Sequence, residues 1–268
     1  MNKIIILALF IFFTQNSFSV ETKTKLTFAS DEYCPYNCIA ESKQEGYVVD
    51  IVKRIFDTKD FLPVYLNTPW TRAIRESRKG KISGILASPK TDAPDFIYPK
   101  EPVGYARFCI YVRKTNNFKY TGFESLKKIN VGVINSYSYP SSIQKNIDRH
   151  DPIFIMHYGA NANERMINKV IHNHMISLID NQAVTLQNIK KLGDKNQLRN
   201  AGCIDDEIFY LYVGFSPATK LSAASHELAI KFDEEFNKLK QNGELTKILK
   251  PYHLNVNDII WKGTKQLP

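Results

Sequence analysis

Apolar and polar positions alternate along 25–30 (KLTFAS), the period of a strand with one covered face. The period then changes. Over 46–56 the apolar residues Val48, Val52, Ile55 and Phe56 return at helical spacing. A short strand over 63–66 follows, then a helix over 70–79 that Gly80 is placed to end, then a strand over 82–87. This βαβαβ order recurs further on. Strands are predicted over 129–134, 153–157 and 175–179. Between and after them come a helix opening near Tyr139-Pro140, a helix over 161–172 that buries Met166, Ile167 and Val170, and a helix over 182–190. Such alternation predicts parallel-rich sheets with helices on both faces. An apolar strand over 107–113 follows the first unit, and a matching one over 208–214 follows the second. Two helices finish the chain, one marked by Leu228, Phe232, Phe236 and Leu239, the other by Leu245, Ile248 and Leu249 before Pro251. The chain therefore leaves one α/β unit, builds another and returns, with two connecting strands as a hinge.

Composition changes this picture little. The 268 residues suffice for two lobes with a proper core. The net charge of +9 is spread among acids, and the densest spots, Lys127-Lys128 and Lys190-Lys191, have no interleaved aromatics. That pattern lacks the clustered basic face of a nucleic-acid binder. The first residues matter more. Lys3, an apolar run over 4–13 and Ser17-Phe18-Ser19 form a secretory leader over 1–19, cleaved after Ser19. The run is short for a membrane span, an uncleaved anchor being the other reading. Four cysteines suit an exported chain with up to two disulfides. Of three pairings, Cys34–Cys38 with Cys109–Cys203 is favoured. A zinc site at CPYNC would lack a second close pair of ligands.

In open α/β sheets ligands sit beyond the carboxyl ends of the strands, so the loops there carry the candidate chemistry. They are SDEYCPYNC with Asp31, Tyr33 and Tyr36, TPWTRA with Trp70 and Arg72, SPKTDAPDF beginning at Ser88, NSYSYP with Asn135, Ser136 and Tyr137, and DNQAV with Asp180. Aromatic rings offer a wall to a small ligand, although Trp70 is equally a core residue. The planar fork of Arg72 suits a carboxylate. Asp180 either meets an ammonium or merely caps a helix, and the amides near Ser136 could hold an anion. There is no G-x-S-x-G, H-E-x-x-H or Walker A stretch. His172 and His174 point apart, which disfavours shared metal ligation, and no cofactor is expected.

Several of these stretches together resemble a known family. They are the leader, the Asp-x-x-x-Pro-Tyr segment from Asp31 to Tyr36, GYVVDIVKRIF, PWTRA, ISGILAS, YPKEPVG, SLKKINVGVINSYSY and NGELTKILKPYHL. In that order they resemble the bacterial extracellular solute-binding proteins of family 3, which feed amino-acid ABC importers. The resemblance implies a type II periplasmic-binding-protein clamshell with lobe one over 20–112, lobe two over 113–210 and a return to lobe one over 211–268. It implies a periplasmic monomer that captures a small polar amino acid, amine or carboxylate and docks on an inner-membrane ABC permease. Many amino-acid receptors of the family carry Thr-x-x-Arg after the third strand, and that arginine holds the ligand's α-carboxylate. Here Thr91 is followed by Asp92, Ala93, Pro94 and Asp95, so the arginine is missing. Arg72 is the expected substitute, with Arg107 and Lys90 behind it, and Asp180 matches the family's acid for the α-amino group. Tyr36 and Trp70 would form the wall. Two other uses of the scaffold stay open. One is a dehydratase-like enzyme, with Glu101 or Asp95 as its acid. The other is a ligand sensor acting through a separate partner.

Overall fold

The computed structural model describes residues 23–159, 161–193, 197–218 and 221–260. The expected leader lies outside them. The first unit runs β1 (Thr24–Ser30), α1 (Tyr47–Phe56), β2 (Phe61–Asn67), α2 (Trp70–Arg78) and β3 (Gly84–Ser88). The long strand β4 (Gly104–Arg113) leads to α3 (Phe123–Leu126), β5 (Val131–Ile134), α4 (Ser141–Asp148), β6 (Phe154–His157), α5 (Ala162–Ile171), β7 (Ser177–Asn181) and α6 (Gln182–Leu192). The return is β8 (Leu198–Phe215), followed by α7 (Ser222–Gln241), α8 (Glu244–Leu249) and α9 (Val256–Ile259).

All eight strands form one curled sheet in the order β2-β1-β3-β8-β4-β7-β5-β6. Each end is parallel: β1 lies between β2 and β3, and β5 lies between β6 and β7. The centre is antiparallel, because β8 pairs with β3 and β4, and β4 pairs with β7. The strand expected over 208–214 is therefore only the last part of a strand that begins at Leu198. Its earlier part mixes exposed Asp205 and Asp206 with Gly202, which hides the strand pattern. Pairing with β4 from Cys109↔Cys203 to Arg113↔Leu198 overrides that weak local signal. The short helices α3 and α9 were not expected; at four residues each they carry almost no periodicity.

Successive side chains on a strand point to opposite faces, so helices cover both sides. Leu26 and Phe28 join the cluster of α1, α7 and α8, while Ala29 and Ile85 join Trp70, Ala73 and Ile74 of α2. In the other half Cys109, Tyr111 and Leu178 meet Met166, Ile167 and Val170 of α5, and Ile110, Val112 and Ile179 share a cluster with Leu126 and Ile143. Phe28, Phe56, Phe215 and Phe232 form the aromatic centre of the first half, with ring centroids 6.0–6.5 Å apart. Each such phenyl group contributes roughly 1.5–3 kcal/mol by its burial. Both disulfides follow the favoured pairing: Cys34–Cys38 closes the loop after β1, and Cys109–Cys203 joins opposed residues of β4 and β8. This is the type II clamshell architecture, and the carboxyl ends of the two parallel sets meet across a cleft.

Candidate functional site

Three loops of the first half reach this cleft. β1 ends in Ser30, Asp31 follows it, and the disulfide-closed loop beyond carries Tyr33 and Tyr36. Ala87 near the end of β3 adopts a left-handed φ of 51°, at a break in the β3–β8 register, and turns the chain into Ser88-Pro89. The following turn aims Asp92 inward, while α2 supplies Trp70 from its first residue. From the other half come Tyr137 and Ser138 between β5 and α4, Asn163 on α5, and Asp180 and Asn181 at the end of β7.

Two recesses share Asp31, Tyr33 and Tyr137. A narrow aromatic recess is lined by Asp31, Tyr33, Trp70, Asp92, Tyr137 and Phe108, among others. A wider polar one runs between Asp31, Tyr137, Asn163, Glu164, Asp180 and Asn188. Hydrogen bonds cross the cleft at this junction. Tyr137 Oη donates to Asp31 Oδ2 at 2.6 Å, and Ser138 Oγ donates to Asp92. Asn181 Nδ2 donates to Tyr33 Oη at 2.9 Å and to Tyr36 Oη at 3.2 Å. The rings of Tyr33 and Tyr137 meet edge to face with centroids 5.9 Å apart.

The carboxylates are held by neutral donors rather than by cations. Asp92 accepts from Trp70 Nε1 at 2.8 Å as well as from Ser138. Asp180 accepts from the Asn181 amide at 2.6 Å and from Asn163 Nδ2, whose own oxygen accepts from Asn188 at 2.6 Å. Burial is the main force on all three. It pushes the Asp31 carboxyl up to about 6 and that of Asp180 up to about 7, against an ordinary 3.8, and it raises Asp92 as well. The hydrogen bonds pull in the opposite direction, and Asp31 and Asp92, like Asp31 and Asp180, repel each other.

Of the residues singled out in the sequence, Asp31, Tyr33, Trp70, Tyr137 and Asp180 meet here. The rest do not. Arg72 is exposed on α2 and lines none of these recesses; two positions along a helix from Trp70 is the wrong face. The cations placed behind it are engaged elsewhere. Arg107 grips Asp205 with two bonds of 2.6 and 2.7 Å, and Lys90 stands 4.3 Å over the Tyr212 ring. Tyr36 sits one layer back, stacked on Tyr33 at 5.3 Å and donating to the Tyr105 carbonyl. Ser88 is buried and bonds to the Pro89 carbonyl. Asn135 donates to Ser136, which is exposed with a φ of 66°. Asp95 faces outward in a two-pronged pair with Arg78, and Glu101 pairs with Lys240. Asp92, Ser138 and Asn163 were missed, though the first two lie within two residues of positions singled out in the sequence. Asp180 is not the helix cap: Asn181 takes that role by accepting from the Ala183 amide at 2.9 Å, which leaves Asp180 to face the recess.

Among the described residues no group of three or more His, Cys, Asp or Glu is arranged to hold a metal ion, and no helix is long and apolar enough to cross a membrane.

Comparison with known proteins places this geometry in context. No curated protein matches the chain by sequence. Solved structures do match in fold. One comes from the study of glutathione import through GshT and the cystine ABC importer TcyBC of Streptococcus mutans, at 19% identity and TM-score 0.70, over 86% of this chain and 95% of that one. A second is the arginine-, lysine-, histidine-binding protein ArtJ of Geobacillus stearothermophilus, at 16% identity and TM-score 0.68, over 87% and 97%. A third is the ancestral amino acid-binding protein AncCDT-1, a precursor of cyclohexadienyl dehydratase, at 15% identity and TM-score 0.64, over 85% and 94%. At these identities the likeness concerns the fold. The family profile for bacterial extracellular solute-binding proteins, family 3, matches residues 26–255, so the chain belongs to that family.

Proposed function

We propose that the protein is a periplasmic receptor that captures a small amine-bearing solute in the cleft and hands it to an inner-membrane ABC permease. Its lobes are taken as 20–112 with 211–268, and 113–210. The observation that carries this reading is the set of hydrogen bonds across the cleft. Asp31 and Asp92 from one half accept from Tyr137 and Ser138 of the other, so both halves converge on half-buried carboxylates. An ammonium group inserted there would bind both halves at once, and a ligand that contacts both halves favours the closed form over the open one. ArtJ, an arginine-, lysine-, histidine-binding protein with this fold, offers a precedent for a cationic solute. A dehydratase needs a cationic clamp for its carboxylate substrate, and the lining of the aromatic recess includes no Lys or Arg.

Thermal shift and titration calorimetry against amino acids, amines, small carboxylates and short peptides test the reading. A saturating amine at about a hundred times its Kd should stabilise the protein by roughly 2.7 kcal/mol. A panel in which only uncharged or anionic solutes bind would overturn it, and consumption of the solute over time would show an enzyme.

A further inference from the structure

In the two recesses that share Asp31, acidic side chains outnumber basic ones. In the aromatic recess stand Asp31 and Asp92, with no lysine or arginine among the lining residues. In the polar recess stand Asp31, Glu32, Glu164 and Asp180 against one cation, Lys191, and that cation faces Glu32 at 3.4 Å. The groups able to clamp a carboxylate are occupied or turned away. Arg107 is bound to Asp205, Arg78 to Asp95, and Arg72 is exposed on α2. Pro94, the third residue after Thr91, is exposed. A ligand carboxylate placed in the aromatic recess would lie beside two like charges in a partly buried site, which is unfavourable.

We propose that the ligand is an organic dication without a carboxylate, such as a linear diamine or an amino-guanidine. One positive centre lies in the aromatic recess between Asp31 and Asp92, and the other reaches Asp180 in the polar recess. This rests on the amine-receptor reading and narrows it. Asp31 lines both recesses, so an extended chain can pass from one to the other beside it. The rings of Trp70, Tyr33, Tyr137 and Phe108 offer faces and edges for the first cation and for the methylenes behind it. The neutral donors that now occupy the carboxylates, Tyr137, Ser138 and Asn163, are side chains that can swing aside or share an acceptor with an ammonium. Desolvated carboxylates without a counter-charge are unfavourable, and a dication supplies that counter-charge from both sides at once.

Matched pairs of probes test the claim directly. Lysine and 1,5-diaminopentane differ only by the carboxyl group, and so do arginine and agmatine. Titration calorimetry on the purified exported protein, dialysed free of small solutes, should show at least tenfold tighter binding for the decarboxylated member of a pair. The member 1,5-diaminopentane should also exceed 1-aminopentane at least tenfold. Asp92→Asn, checked for folding by circular dichroism, should lose at least tenfold in diamine affinity. Lysine or arginine binding as tightly as its partner would overturn the inference, as would a folded Asp92→Asn with wild-type diamine affinity. If none of the dications binds while another solute of the wider panel does, the inference fails and a receptor remains. If no solute binds, both readings fail.

Discussion

The two ends of the sheet share one topology and differ in chemistry. In each, a parallel triplet has the middle strand first in sequence, β2-β1-β3 at one end and β6-β5-β7 at the other. In each, the loops beyond the triplet face the cleft. The first half sends in Asp31, Asp92, Trp70 and Tyr33, fixed by a disulfide, a bulge and a helix start. The second half sends in Tyr137, Ser138 and Asn181, neutral groups that reach across to the first half's acids and tyrosines, and Asp180, held by Asn163 of its own half. The difference shows that a fold built twice places its loops twice, while the side chains at their tips divide the work. One half carries most of the charge and aromatic surface, and the other supplies donors and a second acidic pole.

Paired changes, one in each half, probe this division. The largest difference concerns the disulfides. Cys109–Cys203 closes a separation of 94 residues and Cys34–Cys38 one of 4. By chain entropy their loss destabilises by about 4–5 and about 2 kcal/mol respectively. Urea unfolding of Cys109→Ala/Cys203→Ala and Cys34→Ala/Cys38→Ala measures this. The second pair of changes should instead weaken ligand binding, because its loop holds Tyr33. The opposite order would break the comparison.

Two glycines come next. At Gly46, with φ 109°, a Cβ would lie 2.3 Å from the Tyr36 carbonyl oxygen and 2.5 Å from Asn37 Cα, both backbone. At Gly132 it would meet the end of the Met175 side chain at 2.5 Å, which can move. Gly46→Ala should destabilise by about 3 kcal/mol and Gly132→Ala by about 1. Denaturant midpoints at constant slope would show it, and equal effects would mean that the loop after β1 yields more readily than its packing implies.

The acids differ by place. Asp31 faces both recesses and Asp180 one, so Asp31→Asn should weaken amine binding at least a hundredfold, about 2.7 kcal/mol, and Asp180→Asn about tenfold. Equal losses would assign both poles the same weight. The pH dependence follows from the same groups. Folding raises Asp31 to about 6 and Asp180 to about 7, so the folded empty protein holds protons that the unfolded chain has released. These two groups therefore favour the folded state as pH falls from about 7 towards 4, and oppose it above 7. Cation affinity runs the other way, rising about tenfold from pH 5 to 7 as the carboxyls ionise. An amine affinity that is flat over this range would remove these acids from the site. The smallest change is Tyr137→Phe. Its hydroxyl lowers the Asp31 value, so its loss should move the midpoint of the pH profile upward, with an effect of about 1 kcal/mol or less on stability.

Much of this was legible in the sequence. The strand and helix periods of both units are strong because each element has one face on a core. Thus β1, α1, α2, β5 and α5 lie within two residues of their expected ends. The first half of β8 was not legible, since Asp205, Asp206 and Gly202 break its pattern and only pairing with β4 makes it a strand. The cleft acids Asp31 and Asp180 were legible from their places after strands, and the missing arginine from the residues after Thr91. Arg72 was read into the cleft because its loop reaches there. The helix that begins at Trp70 turns that side chain to solvent, and a loop's destination does not fix the direction of each side chain on it.

The sequence by itself determined the two α/β units, the returning chain and the family, and left the disulfide pairing as a preference among three. These depend on local periods and on the order of motifs, which survive in one dimension. Tertiary structure decided that Asp31, Asp92 and Asp180 share one cleft without an arginine, and that Asn181 rather than Asp180 caps α6. Those facts depend on which side chains, up to 149 positions apart between Asp31 and Asp180, the fold brings into one desolvated space. Charge in such a space is felt through distance and burial, and neither is written in the order of the residues.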